Sequence, residues 1–192
     1  GHQPIEEYTI TMWIKVDPAL QDGAYVLFEE GGDEGGIALR LRQDVEYFPG
    51  PNPPPPDRTL YLQGAVKTGP SATPITIQAG GASVEALTDG NWHFVAFLYK
   101  PGTSNGWMSL YLDGATVQTE SQLTTGQIQA HSGLAGLGYR RGTDAFNDSE
   151  PNNYFKGMMD EVRVYRYALT TTQSGDLETI YQAGLDIIQP PT

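Results

Sequence analysis

Cysteine is absent from this sequence of 192 residues, so neither a disulfide nor a thiolate metal site can form. Long hydrophobic runs are missing as well. No apolar stretch approaches the ~20 residues of a membrane-spanning helix, and no secretory signal pattern is present, so no membrane insertion is expected. Basic residues are scarce: 11 Lys and Arg stand against 23 Asp and Glu, for a formal net charge of −12. A nucleic-acid partner held through its phosphates needs the opposite balance. The acid excess reads either as a solvated surface or as carboxylates gathered around cations. What the chain does hold is 23 Gly and 14 Pro beside a modest 39% of hydrophobic residues, the mix of a turn-rich all-β domain. The length suits one domain, residues 1–192. Gly1-His2 reads as a remnant of expression, and the first strand starts almost at once, as in a piece excised from a longer protein.

Tyr8 to Val16 alternates cleanly, with Ile10, Met12, Ile14 and Val16 on one parity. Further strands are expected at 23–28, 37–42, 59–63 and 75–79, with a short one near Val84. Residues 91–99 are apolar on both parities, which predicts a central strand covered on both faces. Residues 101–106 read as a turn, and Asp113-Gly114 joins two alternating runs as a hairpin. A short glycine-rich strand follows at 134–139, then a long polar loop at 140–153. The prolines at 49, 51 and 53–56 predict an extended polyproline segment, an insertion at a sheet edge. Leu177, Ile180 and Tyr181 have helical spacing, with Gly184 as the cap of a closing helix. About ten strands and one helix make a two-sheet antiparallel sandwich.

The stretch Phe155 to Leu169 carries an anomaly. Met158, Asp160, Val162 and Val164 share one parity, so Asp160 stands in an apolar series. A carboxylate facing a core costs several kcal/mol unless paired. Its partner is an Arg, a set of backbone N–H groups, or a cation.

Four segments, in order, resemble the concanavalin A-like, laminin-G-like jelly-roll domains: Tyr8–Lys15, Asn91–Ala96, Leu110–Gly114, and Phe155–Tyr165 with Ala168-Leu169. The resemblance covers most of residues 8–184. It implies a lectin-like or adhesive binding domain, often stabilised by Ca²⁺. The strand that usually precedes Tyr8 is short or missing, and the proline-rich insert and the 140–153 loop are not general features of the family.

On that footing Asp160 is the expected position of a structural Ca²⁺, with an ion pair to Arg163 or Arg166 as the alternative. The loop 140–154 gathers Asp144, Asn147, Asp148, Glu150, Asn152 and Asn153, with Phe146, Tyr154 and Tyr139 for stacking on a sugar. A second acidic loop supplies Glu29, Glu30, Asp33 and Glu34. The metal set expected is Asp160, Asp144, Asp148, Glu150, Asn153, Glu30 and Asp33, and a cation there would accept vicinal sugar hydroxyls in place of water. Both loops also read as plain solvated connectors. The alternating E-x-D-x-E strand of jelly-roll glucanases is absent, Asp160 and Glu161 point to opposite faces, and His93 reads as a packed strand residue. The expectation is a non-catalytic, calcium-dependent carbohydrate-binding domain: a monomeric module of a bacterial surface or secreted adhesin, its partner a glycan. A spacer or protein-binding module, and a module of a glycan-degrading enzyme, are the alternatives.

Overall fold

Alternation along the chain becomes two sheets packed face to face. The computed structural model describes residues 4–32, 34–50, 54–140, 142–149, 152–172 and 175–188, with the backbone alone at 152–153 and 186–188. In chain order the strands are β1 (Tyr8–Val16), β2 (Gly23–Glu30), β3 (Gly36–Glu46), β4 (Asp57–Lys67), β5 (Ile75–Ala79), β6 (His93–Lys100), β7 (Gly102–Leu112), β8 (Ala115–Thr125), β9 (Ala135–Leu137), β10 (Asn152–Asn153) and β11 (Gly157–Tyr165). Two helices join them, α1 (Ala82–Glu85) and α2 (Asp176–Ile188). One sheet has five strands in the order β11-β1-β6-β7-β8, and the other has six, β10-β2-β3-β4-β5 with β9 also on β2. All pairs are antiparallel except β10 with β2. This is the two-sheet sandwich with a closing helix that the alternation predicts.

The inner faces meet as expected. Ile10, Met12, Ile14 and Val16 of β1 join Leu39, Leu41, Leu60 and Leu62 in one buried cluster. Each such side chain contributes about 1.5–3 kcal/mol. The sheets approach closely enough that a Cβ at Gly64 would lie 2.5 Å from the Phe97 ring. The strand β6 is central and buried from His93 to Tyr99. The first and last strands are neighbours, Thr9 lying opposite Tyr165. Past the end of β11, Thr9 Oγ1 donates to Tyr167 O (2.9 Å) and accepts from Leu169 N–H (3.0 Å).

Apolar residues also cover the outer face of the five-stranded sheet, and α2 lies on them. Leu177, Ile180, Tyr181 and Leu185 cover Trp13, Phe94 and Tyr111. Tyr181 stacks on Trp13 with centroids 5.7 Å apart and planes 20° from parallel. The helix start is fastened reciprocally: Asp176 N–H donates to Thr170 Oγ1 (2.9 Å), and the Thr170 hydroxyl donates to Asp176 Oδ2 (3.1 Å). Among the described residues no helix is long and apolar enough to cross a membrane.

Several local expectations are corrected. Val84 lies in α1, not in a strand, because Gly81 and the following turn close a short helix that buries it. Residues 102–106 lie within β7, and the expected turn is present there as a bulge: the register with β8 shifts between Gly102 and Gly106, and a Cβ at Gly102 would lie 2.4 Å from Gly106 N. The proline-rich segment is the tip of the β3–β4 hairpin, between two interior strands rather than at a sheet edge. Its residues 51–53 lie outside the described residues. Gly184 does not end the helix, which runs on to Ile188. It is glycine because a Cβ there would stand 2.2 Å from Trp13 Nε1.

Gly184→Ala tests that contact. In a free helix the change would stabilise by about 1 kcal/mol. Here overpacking should outweigh it, for a net loss of about 1–3 kcal/mol and a melting temperature several degrees lower. A melting temperature at or above that of the wild type would show that α2 does not press on Trp13.

Candidate functional site

Asp160 does not face the core. Glu161 takes a left-handed backbone (φ 49), and the β1–β11 register shifts between Thr11 and Trp13. This bulge inserts one residue and reverses the parity beyond it. Met159 and Val162 turn to the core, while Asp160 is exposed opposite Trp13 and its Oδ1 accepts from Glu161 N–H (2.7 Å). The anomaly read from the alternation is removed by the bulge, and with it the need for a buried counter-charge.

The two acidic loops do touch, since a Cβ at Gly32 would lie 2.9 Å from Thr143 O. From there the chain crosses the outer face of the six-stranded sheet. Ala145 and Phe146 pack on Ala38 and Ala65, both smaller than the usual outward residue of a strand. The Arg40 guanidinium lies 3.6 Å from the centre of the Phe146 ring. Its Nη2 pairs with Asp148 Oδ2 at 2.8 Å, and its Nε donates to Gln63 Oε1 at 2.7 Å. Arg140 Nη1 lies 3.7 Å from Asp144 Oδ2 and 3.8 Å from Asp148 Oδ1. Asp144 is buried, and its Oδ1 accepts from Phe146 N–H (3.0 Å). Burial pushes its carboxyl pKa up, against the pull of Arg140 and Arg40. Phe146 is therefore a buried anchor, not an open sugar platform, and Asp144, Ala145 and Asp148 are held with it against the sheet.

These carboxylates do not fit a calcium ion as they stand. Calcium takes about six to eight oxygen ligands. Asp144 and Asp148 instead face two guanidinium groups, whose charge opposes a dication. Glu30 sits at the end of β2, accepts from the Tyr8 hydroxyl, and lies 3.7 Å from Arg166 and 3.9 Å from His131. It ties the two sheets together. Glu29 is buried, and Glu34 Oε2 accepts from Ser132 N–H (2.8 Å). Asn147 is an exposed turn residue with φ 50. Tyr154 is exposed and stacks on Tyr139 at 4.2 Å. Asp33 and Glu150, and the side chains of Asn152 and Asn153, lie outside the described residues. Among the described residues no three His, Asp or Glu converge as metal ligands.

Beside the loop, the outward residues of β3, β4 and β5 form a cleft of about 180 Å³ lined by Arg40, Arg42, Asp44, Tyr61, Gln63 and Gln78. The alternation that sends Leu39 and Leu41 inward sends Arg40 and Arg42 outward. Hydrogen bonds run across the strands: Arg40 to Gln63, then Gln63 Nε2 to Gln78 Oε1 (2.5 Å). Arg42 Nε donates to Asp44 Oδ1 (2.5 Å). The cleft continues into a depression of about 220 Å³ lined by Asp44, Glu46, Asp57, Thr59 and Tyr61. Sequence reasoning missed this site. Its signal was two of the chain's 11 basic residues on the outward parity of one strand.

His93 is packed in β6, as the sequence suggests, and both ring nitrogens are engaged. Nδ1 lies 2.6 Å from Asp113 Oδ2 and Nε2 lies 3.0 Å from Asp89 Oδ1. Asp113, then Asp89, raise the His93 pKa against the opposing effect of burial. The bond from His93 holds Asp89 down to about 2.

The family model of the concanavalin A-like lectin/glucanases superfamily matches residues 2–173. No curated protein matches the chain. The receptor binding domain of botulinum neurotoxin D is similar at 14% identity and a TM-score of 0.61, over 96% of this chain and 39% of its own. The CBM40 of the Ruminococcus gnavus IT-sialidase, bound to α2,3-sialyllactose, matches at 18% identity and a TM-score of 0.57, over 87% and 79%. A heptameric SAP-like pentraxin from Limulus polyphemus matches at 17% and 0.54, over 93% and 72%. At such identities the likeness is one of fold. The chain spans less than two-fifths of the length of the toxin domain.

The His93 clasp predicts a pH window. A histidine whose pKa is raised by folding stabilises fully below its unfolded value of ~6.5, and less as pH rises through the folded value. An aspartate lowered to about 2 stabilises above its ordinary value and less as pH falls. The melting-temperature gap between wild type and His93→Gln should be widest between about pH 4 and 6.5 and narrow on either side. A gap that is flat with pH would show that the clasp carries no charge.

Proposed function

We propose that this chain, which belongs to the concanavalin A-like lectin/glucanases superfamily, is a non-catalytic carbohydrate-binding module that holds an acidic glycan on the open face of its six-stranded sheet. The observation that carries this reading is the outward pair Arg40 and Arg42 set in one cleft with Tyr61, Gln63 and Gln78. A guanidinium grips a carboxylate through two parallel N–H donors. Arg42 is the gripping residue. One of its partners, Asp44, is 49% exposed, so a sugar carboxylate can take that place. Arg40 is held by Phe146, Asp148 and Gln63, so little ordering remains to oppose binding. Gln78 and Tyr61 offer amide and phenol groups to the sugar hydroxyls. Tyr47 and Phe48 follow Glu46 on the hairpin tip, 68% and 39% exposed, as further surface for an extended glycan.

The sialyllactose-bound CBM40 and the toxin receptor-binding domain share this fold, which supports a binding role. The engagement of both His93 nitrogens by carboxylates, and the lack of an alternating carboxylate triplet, support a non-catalytic one. The module serves as one unit of an extracellular bacterial surface or secreted adhesin. Calcium has no step in this recognition.

The test is a glycan array with and without EDTA, followed by titration of the best glycan against wild type and Arg42→Ala. Acidic glycans should be retained in EDTA. The variant should bind about 10- to 100-fold more weakly, the loss of a charged hydrogen-bonded contact, at an unchanged melting temperature. Equal binding by Arg42→Ala would remove the site from this cleft. Retention lost in EDTA would return the site to calcium and to Asp33, Glu150, Asn152 and Asn153. No retained glycan at all would favour a spacer module.

A further inference from the structure

The outer face of the five-stranded sheet is only partly covered. The helix α2 shields Trp13, Phe94 and Tyr111, and leaves a second cleft of about 250 Å³ over β7 and β8. Trp107, Ser109, Thr119, Ser121 and Thr171 line it. Trp107 packs against the aromatic cluster from one side and is half-buried, so it is held in place while still bordering the cleft. Ser109 and Thr119 lie directly opposite in the ladder, and their hydroxyls are 3.1 Å apart. The Ser109 hydroxyl also lies 3.2 Å from Gln118 O, which it reaches as a donor.

We propose that this cleft is a second carbohydrate site, one that takes a single neutral sugar ring. The chemistry of the lining selects that class. Among the described residues no lining side chain is charged, in a chain of net charge −12, so neither an anion nor a cation finds a partner among them. Burying an unpaired charge in it would carry a desolvation cost. An aromatic ring has a negative face that attracts the weakly positive C–H groups of a sugar's apolar side. Ser121 and Thr171 can each donate to and accept from sugar hydroxyls, while Ser109, whose proton goes to Gln118 O, and Thr119, which donates to Ser109, keep lone pairs to accept. Ser109 and Thr119 are already fixed by these hydrogen bonds, which lowers the cost of ordering. The volume lies below the ~300 Å³ at which drug-sized pockets begin, the scale of one ring rather than of a chain. This site is on the opposite side of the sandwich from the arginine cleft and stands or falls separately from it.

The experiment is an NMR titration of the full chain with lactose, maltose, cellobiose and diacetylchitobiose, following the indole N–H resonances. At least one sugar should move the Trp107 signal saturably and leave those of Trp13 and Trp92 in place. Ser121→Val, an exposed change that suits a strand, should weaken that binding about tenfold, as should Trp107→Ala, where one aromatic contact is lost. Arg42→Ala should leave it intact. Four sugars that leave the Trp107 signal unmoved would overturn the proposal, as would a folded Ser121→Val and a folded Trp107→Ala that both bind like wild type.

Discussion

The five-stranded sheet is apolar on both faces, and that constraint shapes much of this molecule. The inner face is satisfied by the opposite sheet. The outer face presents Trp13, Phe94, Ala96, Leu98 and Tyr111, and an uncovered patch of that size in water is unfavourable. The helix α2 exists where it does to cover it. That in turn demands a glycine at 184, where the helix backbone meets Trp13, and a firm start at Thr170 and Asp176. The cover stops short of β8, whose outward residues are polar enough to do without it.

The six-stranded sheet solves the corresponding problem differently. Where the loop crosses it, the outward residues Ala38 and Ala65 are small, and a loop turn carrying Ala145 and Phe146 packs on them. A buried guanidinium then closes the arrangement. Arg40 is stacked on Phe146, paired with Asp148 and bonded to Gln63 at once. A buried ion pair adds little net stability when weighed against an apolar replacement, but removing one partner is costly. The same loop leaves the rest of the face open, and polar side chains from three neighbouring strands line what remains. Packing and the candidate binding face are thus two consequences of one loop placement.

What could be read from the sequence follows the range of the signal. Alternation over Tyr8–Val16 and the Asp113-Gly114 turn are local, and both appear as read. The central position of β6 was legible because burial on two faces leaves both parities apolar. Asp160 was misplaced because a single left-handed residue, Glu161, changes the count, and nothing in the side chains around it announces a bulge. The loop 140–154 was correctly seen as rich in oxygen donors, but the cations that answer them, Arg40 and Arg140, come partly from a distant strand. Arg40 reads as an ordinary solvent-facing residue until the loop is laid over it. The arginine cleft was overlooked because cross-strand neighbours such as Arg40, Gln63 and Gln78 are far apart in sequence and become a site only through register.

The adjacency of β1 and β11 has a mechanical meaning. The start of the first strand lies beside the end of the last, with Thr9 opposite Tyr165. A pull that separates these two points loads the ladder one bond at a time, as in unzipping, and not all bonds together, as in shear. Resistance then depends on the corner where the load first arrives. There Thr9 Oγ1 bridges Tyr167 O and Leu169 N–H, and Glu7 Oε2 accepts from Ala168 N–H at 3.0 Å. Glu7 also pairs with Lys100 of β6 at 2.8 Å, so tension entering at this corner is shared with the central strand before the zipper can open.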